Sequence, residues 1–136
     1  MGNFSSIDIS ASGLYAQRMR MDVIADNIAN ATTTRTEKGG PYRKQEVIFQ
    51  AHTGKLDGGN GGVEVAGIVE SPSPPKMVYD PSHPDANPDG LVAMPNVNII
   101  EEMVDMITAT RAYEANIQAI NTARAMTMKA LDLGRS

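Results

Sequence analysis

Apolar residues recur with helical spacing at both ends of the chain. In the first segment, residues 5–30, four apolar side chains follow one another at intervals of seven: Ile7, Leu14, Met21 and Ile28. This interval keeps side chains on one face of a helix. Gly13 lies inside the segment, and glycine within a helix costs roughly 1 kcal/mol relative to alanine. The pattern therefore predicts a marginal helix that needs a partner.

The last segment predicts a longer helix, from Asn96 or Val97 to Leu133, about 55 Å long at 1.5 Å per residue. Pro95 precedes this helix, and Asn96 or Asn98 is its expected N-cap. Alternating steps of four and three residues define one mostly apolar seam: Ile99, Met103, Met106, Thr110, Tyr113, Ile117, Ile120, Arg124, Thr127 and Leu131. Two terminal helices with one seam each predict an antiparallel coiled coil.

The segment between the helices has a different pattern. All eight prolines and nine of the twelve glycines lie between Ala31 and Pro95. Runs of β-forming residues predict strands at residues 42–50, 63–69 and 77–79. Glycines predict a hairpin loop at residues 57–62, and three prolines predict a stiff loop at residues 80–90. The chain is therefore expected to be mainly α with a small irregular β insert, divided into segments 1–31, 32–95 and 96–136.

Composition narrows the function classes. The 136 residues carry a formal net charge of -4, which argues against a nucleic-acid partner. There is no cysteine, so disulfides, thiolate metal sites and cysteine nucleophiles are excluded. Residues 1–9 contain neither a basic residue nor an apolar run, so we expect no cleaved secretory signal. No stretch approaches the ~18 apolar residues of a membrane span, so we expect no direct membrane insertion.

No motif has the full spacing of a catalytic or metal-binding site. Residues 85–90 match the first six positions of a calcium loop, but Asn96 stands where that loop needs a bidentate acid. A turn capped by Asx side chains is the favoured interpretation. His52 and His83 have no second ligand at helical spacing. We therefore expect neither an enzyme activity nor a cofactor.

Two terminal motifs resemble those of the bacterial flagellar rod and hook proteins. The first covers residues 12–17 (SGLYAQ) and 26–34 (DNIANATTT), and the second covers residues 97–107 and 111–116. Between them, residues 39–43 (GGPYR) and 79–86 (YDPSHPDA) are similar to the member of that family that forms the proximal rod. The resemblance covers most of the chain, apart from the glycine loop.

The resemblance implies a structural subunit of the flagellar basal-body (proximal) rod, a hollow drive shaft that transmits torque and allows axial protein export. The implied partners are other copies of the chain, other rod proteins, the adaptor to the membrane ring and the flagellar type III export apparatus. The implied location is the basal body in the cell envelope, in its periplasmic rod, reached without cleavage of a signal peptide.

Two alternatives from other classes remain open at this point. One is a soluble coiled-coil adaptor or export chaperone that is not incorporated into the rod. The other is a metal-dependent enzyme that uses residues 80–89. The first explains the helices but leaves the central motifs without a role, and the second lacks a complete ligand set.

The resemblance also suggests roles for individual residues. The apolar residues of the first helix are expected to pack on the seam of the second. The family turn motif is expected to close the first helix through bonds from its asparagine side chains to local backbone: Asn27, Ile28, Ala29 and Asn30. Contacts between subunits are expected at Arg111 and Glu114, although a solvent-exposed pair with no role in assembly is an equally open interpretation of these two residues. Further contacts between subunits are expected at the stiff loop, through Asp80, Pro81, His83, Pro84 and Asp85.

Overall fold

A computed structural model describes residues 2–52 and 61–135, with side chains from Ser6 onward. The elements in chain order are α1 (Gly2–Ala29), β1 (Gln45–Ala51), β2 (Val63–Glu70), β3 (Lys76–Tyr79), β4 (Leu91–Met94) and α2 (Ile99–Gly134). Most of the loop expected at residues 57–62 lies outside the described residues. The chain is mainly α with a small β insert, which confirms the coarse fold prediction.

The two helices run side by side in opposite directions. Gly13 in α1 approaches Asn116, whereas Asn27 near the end of α1 bonds Glu102 near the start of α2. A Cβ atom at position 13 would lie 2.9 Å from the amide of Asn116, so glycine permits this close approach. The glycine that weakens the isolated helix therefore has a packing role in the folded chain.

Asn98 caps the start of α2. Its side-chain oxygen accepts hydrogen bonds from the backbone N–H groups of Ile100 and Glu101, at 3.1 and 3.4 Å. These bonds satisfy donors that have no partner within the helix. Of the two asparagines expected as the N-cap, Asn98 therefore has this role.

The insert consists of two antiparallel hairpins. In the first, β1 pairs with β2 from Gln45 opposite Glu70 to Ala51 opposite Val63, with a bulge after Ile48, and the hairpin packs against α1. In the second, β3 pairs with β4 and residues 80–90 connect the two strands. The sequence patterns did not predict β4, which has only four residues between Gly90 and Pro95.

Asn96 joins the two hairpins. Its side-chain oxygen accepts a hydrogen bond from the backbone N–H of Lys44 at 2.8 Å, and its amide donates to the carbonyl of Ser73 at 3.0 Å. The apolar core is small and divided between the helices and the second hairpin with its exit: Ala16, Val23, Ile24 and Ala109, then Val92 and Val97. Few apolar contacts hold the helices together, so the polar contacts between them matter more.

Candidate functional site

A buried polar cluster lies where α1 ends, β1 begins and α2 begins. We call it the junction cluster; it consists of Asn27, Tyr42, Lys44, Gln45 and Glu102. The side chains of Asn27 and Glu102 are both only 1% exposed. Burying polar and charged groups is unfavourable unless they find partners, so the bonds within this cluster decide whether the helix pair is stable.

Asn27 uses all four hydrogen-bonding positions of its amide. Its NH2 group donates to the carbonyl of Gln45 at 2.9 Å and to Oε2 of Glu102 at 3.1 Å. Its oxygen accepts from the Tyr42 hydroxyl and from the Gln45 backbone N–H, both at 2.9 Å. One side chain therefore connects α1, the first strand of the insert and α2.

This role corrects the expectation that Asn27 closes α1 through local backbone bonds. Its partners lie 15 to 75 residues away in the chain. Asn30 does bond locally: its amide donates to the carbonyl of Asp26 at 2.9 Å, and its oxygen accepts from the Thr33 hydroxyl at 3.2 Å. Two asparagines of one motif thus have different functions, because only the side chain of Asn27 lies on the face of α1 that is covered by β1 and α2.

An ion pair completes the junction cluster. Lys44 Nζ lies 2.9 Å from Oε1 of Glu102. The hydrogen bond to that carboxylate raises the pKa of Lys44, against the opposing effect of burial. Burial, followed by the negative charges of Asp26 and Glu102, raises the pKa of Tyr42. The lysine stays charged and the phenol stays neutral at physiological pH, so the cluster acts as a fixed connection.

The line along which α2 packs on α1 shares only some of its residues with the expected seam, and its other residues each lie one position before a seam residue. Met106, Tyr113 and Ile120 belong to both lines and are half-buried. The other half of the packing line consists of Glu102, Ala109, Asn116 and Ala123, whereas the expected Met103 and Ile117 are exposed. Small residues allow α1 to approach, and the two polar residues have partners, so burial at these positions does not require a large apolar side chain.

Six further apolar residues that were expected to pack divide into two groups. Four on α1 are half-buried: Ile7, Leu14, Met21 and Ile28. Ile99 and Leu131, at the two ends of the α2 seam, are exposed. The expected pairing of the α1 residues with Ile99, Met103 and Ile117 within one chain is therefore corrected, and these exposed side chains are available to other molecules.

The loop at residues 80–90 is bonded within itself and to its own chain. Asp80 accepts hydrogen bonds from the backbone N–H and hydroxyl of Ser82, and the latter bond lowers the pKa of Asp80. Asp85 accepts a hydrogen bond from Thr34 at 2.7 Å and pairs with Arg35. These bonds, that from Thr34 most of all, lower the pKa of Asp85. The loop is thus held against the segment that follows α1.

The calcium-loop interpretation gains no support from this geometry. Asp85 is occupied by Thr34 and Arg35, and the side-chain oxygen of Asn87 accepts from the backbone N–H of Leu91 at 2.9 Å. Among the described residues, no three His, Asp or Glu side chains converge in an arrangement that could hold a metal ion. Nor does any helix in residues 2–52 and 61–135 have the length and apolar character to cross a membrane.

The most unusual surface of the chain is an apolar one on α2. The large apolar side chains left exposed on this helix are Ile99, Ile100, Met103, Val104, Ile107, Ile117, Met126, Met128, Leu131 and Leu133. Ile100, Val104 and Ile107 follow helical spacing and form a second apolar stripe, which is not part of the seam expected from the sequence. Exposed apolar side chains grouped along one helix in this way indicate an interaction site.

Comparisons with known proteins agree with an assembly surface. A family model described as flagella basal body rod protein matches residues 7–35, and one described as flagellar basal body rod FlgEFG protein C-terminal matches residues 89–133. The chain is 50% identical to the flagellar basal-body rod protein FlgC of Borreliella burgdorferi, over 96% of this chain and 97% of that protein. It is 43% identical to FlgC of Bacillus subtilis and 42% identical to FlgC of Salmonella typhimurium, in each case over 99% of this chain and 100% of the relative. The chain belongs to the FlgC family of flagellar basal-body rod proteins.

Membership of the FlgC family settles the class of function. The chain is a structural subunit of the flagellar basal-body rod and not an enzyme, and it assembles with other rod components. The soluble adaptor and the metal-dependent enzyme are not favoured. In a rod subunit, an apolar stripe that its own chain leaves exposed is a surface on which neighbouring subunits can pack.

Proposed function

We propose that this FlgC-family chain builds the proximal part of the rod, with α1 and α2 packed as an antiparallel coiled coil in the wall of a hollow shaft. Segments 1–31 and 96–136 supply the helices, and segment 32–95 forms an insert on their outside. The observation that carries this proposal is the apolar surface of α2 that its own chain leaves uncovered. Burying that surface requires other subunits.

Torque transmission gives the mechanical reason for such a design. A shaft that resists twisting needs large interfaces, and obligate interfaces commonly bury more than ~2,000 Å². The stiff loop at residues 80–89 is a second proposed contact, because the bonds of Asp80 and Asp85 hold its shape before any neighbour arrives. Arg111 and Glu114, both exposed on α2, are proposed to contact a neighbouring subunit.

The proposed route to the rod is the flagellar type III export apparatus, without cleavage of a signal peptide, into the periplasmic part of the basal body. The proposed partners are other copies of this chain, other rod proteins and the adaptor between rod and membrane ring. The small, divided core supports this route, because a chain with few buried apolar side chains is inexpensive to unfold for export.

The composition of purified basal bodies tests the proposal directly. Hook–basal bodies from cells that carry a tagged copy are expected to contain the chain, in the fraction that retains the proximal rod after the hook has been sheared away. A chain found only in the cytoplasm, with basal bodies assembled normally without it, would support the adaptor or chaperone instead.

Two substitutions test the role of the helix surfaces. Leu14→Asp and Ile117→Asp are each expected to abolish rod assembly and swimming, whereas Glu37→Ala in an exposed turn is expected to swim normally. Ile117 is already 38% exposed, so its replacement tests assembly more than folding. Normal swimming of the Ile117→Asp strain would contradict the proposed packing of α2 against neighbours.

A further inference from the structure

Methionine is the main residue type of this chain that mild oxidants can attack. The chain contains nine methionines but neither cysteine nor tryptophan. A two-electron oxidant such as hydrogen peroxide converts the methionine thioether into a polar sulfoxide, and methionine sulfoxide reductases reverse the change. Because the more reactive sulfur of cysteine is absent, such an oxidant reacts with this chain at its methionines.

The methionines whose side chains the structure describes divide into two groups of four. The first group is half-buried: Met19, Met21, Met94 and Met106. In the second group, 53% to 58% of each residue is exposed: Met77, Met103, Met126 and Met128. Because susceptibility to oxidation follows exposure, we expect the second group to react first.

Three methionines of the second group, Met103, Met126 and Met128, lie on the exposed apolar surface of α2, and we call them the surface methionines. Met103 lies one turn from Ile99 and from Ile107, both of which are exposed. Near the other end of the helix, Met128 and Leu131 line one shallow pocket. The methionines therefore belong to the surface on which the proposed packing against neighbours depends.

We propose that the surface methionines are oxidation sites, and that their conversion to sulfoxide prevents the chain from joining the rod. In the reaction with hydrogen peroxide, a lone pair on the thioether sulfur attacks one oxygen, and the S–O bond forms as the O–O bond breaks. The departing hydroxide takes the proton of the transferred oxygen and leaves as water. Sulfur is thus oxidised, and the peroxide reduced, by two electrons.

The effect on assembly follows from the polarity of the product. A sulfoxide places a strong hydrogen-bond acceptor on a surface that contacts between subunits remove from water, and burying a polar group without a partner is unfavourable. Isoleucine, valine and leucine on the same surface undergo no comparable reaction. In an assembled rod the surface methionines are covered, so the sensitivity is confined to chains that have not yet assembled. The inference rests on the proposed function, to which it adds a modification that controls it.

Peptide mass spectrometry of the purified full-length chain, after brief exposure to hydrogen peroxide, tests the sites. Sulfoxide at the surface methionines is expected to form at least about fivefold faster than at Met106, which is half-buried in the same helix. In purified basal bodies the rates at the surface methionines are expected to fall at least about tenfold. Equal rates at Met106 and the surface methionines of the free chain, or rates unchanged by assembly, would overturn the proposal.

Substitutions test the effect of polarity without an oxidant. The triple replacement of the surface methionines by glutamine adds a polar group at each site, and we expect it to lower the amount of chain in basal bodies at least about tenfold. The triple replacement by leucine keeps the surface apolar and is expected to assemble normally. Ala119→Gln, at another exposed position of α2, is the control for added polarity and is expected to assemble normally. Equal incorporation of the two triple variants, whether high or low, would overturn the proposal.

The wild-type chain provides a second measurement that does not depend on the folding of any variant. In cells without methionine sulfoxide reductases, expression of the chain is induced together with a dose of peroxide that still permits some rods to form. The fraction of sulfoxide at the surface methionines is expected to be at least about tenfold lower in basal bodies than in the unassembled chain. Equal fractions in the two pools would overturn the proposal.

The same material separates failure of this inference from failure of the proposed function. Basal bodies that contain the wild-type chain and the glutamine variant in equal amounts would overturn the role of oxidation and leave the rod function intact. A wild-type chain that is absent from basal bodies would contradict the rod function itself, and the inference would fail with it.

Discussion

The two ends of the helix pair are stabilised in different ways. At the end beside the hairpins, Asn27 and Glu102 are both buried. Asn27 uses all four of its hydrogen-bonding positions, and Glu102 forms an ion pair with Lys44. At the opposite end, Ala123 and Thr127 are only half-buried, and Met126 and Met128 are exposed. The first end, which we call the complete end, is closed by contacts within the chain, whereas the opposite end leaves apolar side chains exposed.

The difference shows how a thin core can still define one arrangement of two helices. Apolar contacts alone tolerate sliding of one helix along another, since one small apolar side chain replaces another. A buried amide with four hydrogen bonds resists such sliding. Each bond that breaks leaves a buried polar group with neither a protein partner nor water, which is unfavourable. We infer that the junction cluster sets the register of α1 against α2, a role that single buried polar residues have in coiled coils.

The largest expected effect comes from breaking the complete end. Glu102→Ala removes the partner of Lys44 and one partner of Asn27, and loss of one member of a buried ion pair costs about 3–5 kcal/mol. Urea unfolding followed by far-UV circular dichroism measures the change. Glu101→Ala is the matched control, since Glu101 is the adjacent residue and exposed, with an expected cost of about 0.5 kcal/mol. Equal losses in the two variants would contradict the role of the cluster.

The two asparagines of the turn motif give the next largest contrast. Asn27→Ala leaves buried groups on Tyr42, Gln45 and Glu102 without partners, and we expect a loss of about 2–3 kcal/mol in the free energy of unfolding. Asn30→Ala removes only local, partly exposed bonds and is expected to lose about 1 kcal/mol or less. The same unfolding measurement applies, and the reverse order of the two losses would contradict the structure.

A smaller effect tests the close approach in the middle of the pair. In an Asn116→Ala background, Gly13→Ala is expected to stabilise the chain by about 1 kcal/mol, because alanine is the better helix former. In the wild-type background that gain is offset, since the new Cβ atom displaces the amide of Asn116. Equal stabilisation in both backgrounds would show that α1 and α2 do not meet at these residues.

The smallest expected effect is a loss of stability at alkaline pH, caused by deprotonation of Lys44 and Tyr42 in the junction cluster. The pKa of Lys44 is raised in the folded chain above 10.5, and that of Tyr42 is raised above 10.0. A raised pKa contributes stability that is present below the unfolded value and disappears as pH rises through the folded value. The urea midpoint is therefore expected to fall above about pH 10 to 10.5, and Tyr42→Phe isolates the contribution of Lys44. A midpoint that rises in this range would contradict the assigned shifts.

Local patterns predicted much of the fold, for identifiable reasons. The heptad recurrence of Ile7, Leu14, Met21 and Ile28 indicated α1, and the seam of α2 was correct at Met106, Tyr113 and Ile120. Proline and glycine located the insert between the helices. β4 was missed because four residues beside Gly90 are too short a run to show a period of two. The sequence left Asn96 and Asn98 as candidate N-caps of α2, and the backbone geometry shows that Asn98 is the N-cap.

The candidate site was less accessible to sequence patterns. A seam chosen by hydrophobicity selected Met103 and Ile117, while the folded chain packs Glu102 and Asn116 against α1. No local rule identifies a buried glutamate before its lysine and asparagine partners are known, and those partners are far away in the chain. The second apolar stripe, through Ile100, Val104 and Ile107, did carry a sequence signal in its helical spacing.

The sequence by itself determined the two terminal helices, the β insert between them and the family, because these depend on spacing and motifs along the chain. Only the tertiary structure decided which face of each helix is buried, since that choice rests on contacts between residues up to 75 positions apart. It also decided what remains uncovered. Whether a side chain is exposed depends on which residues pack against it. The surfaces left for assembly therefore depend on how Asn27, Lys44 and Glu102 hold α1 against α2.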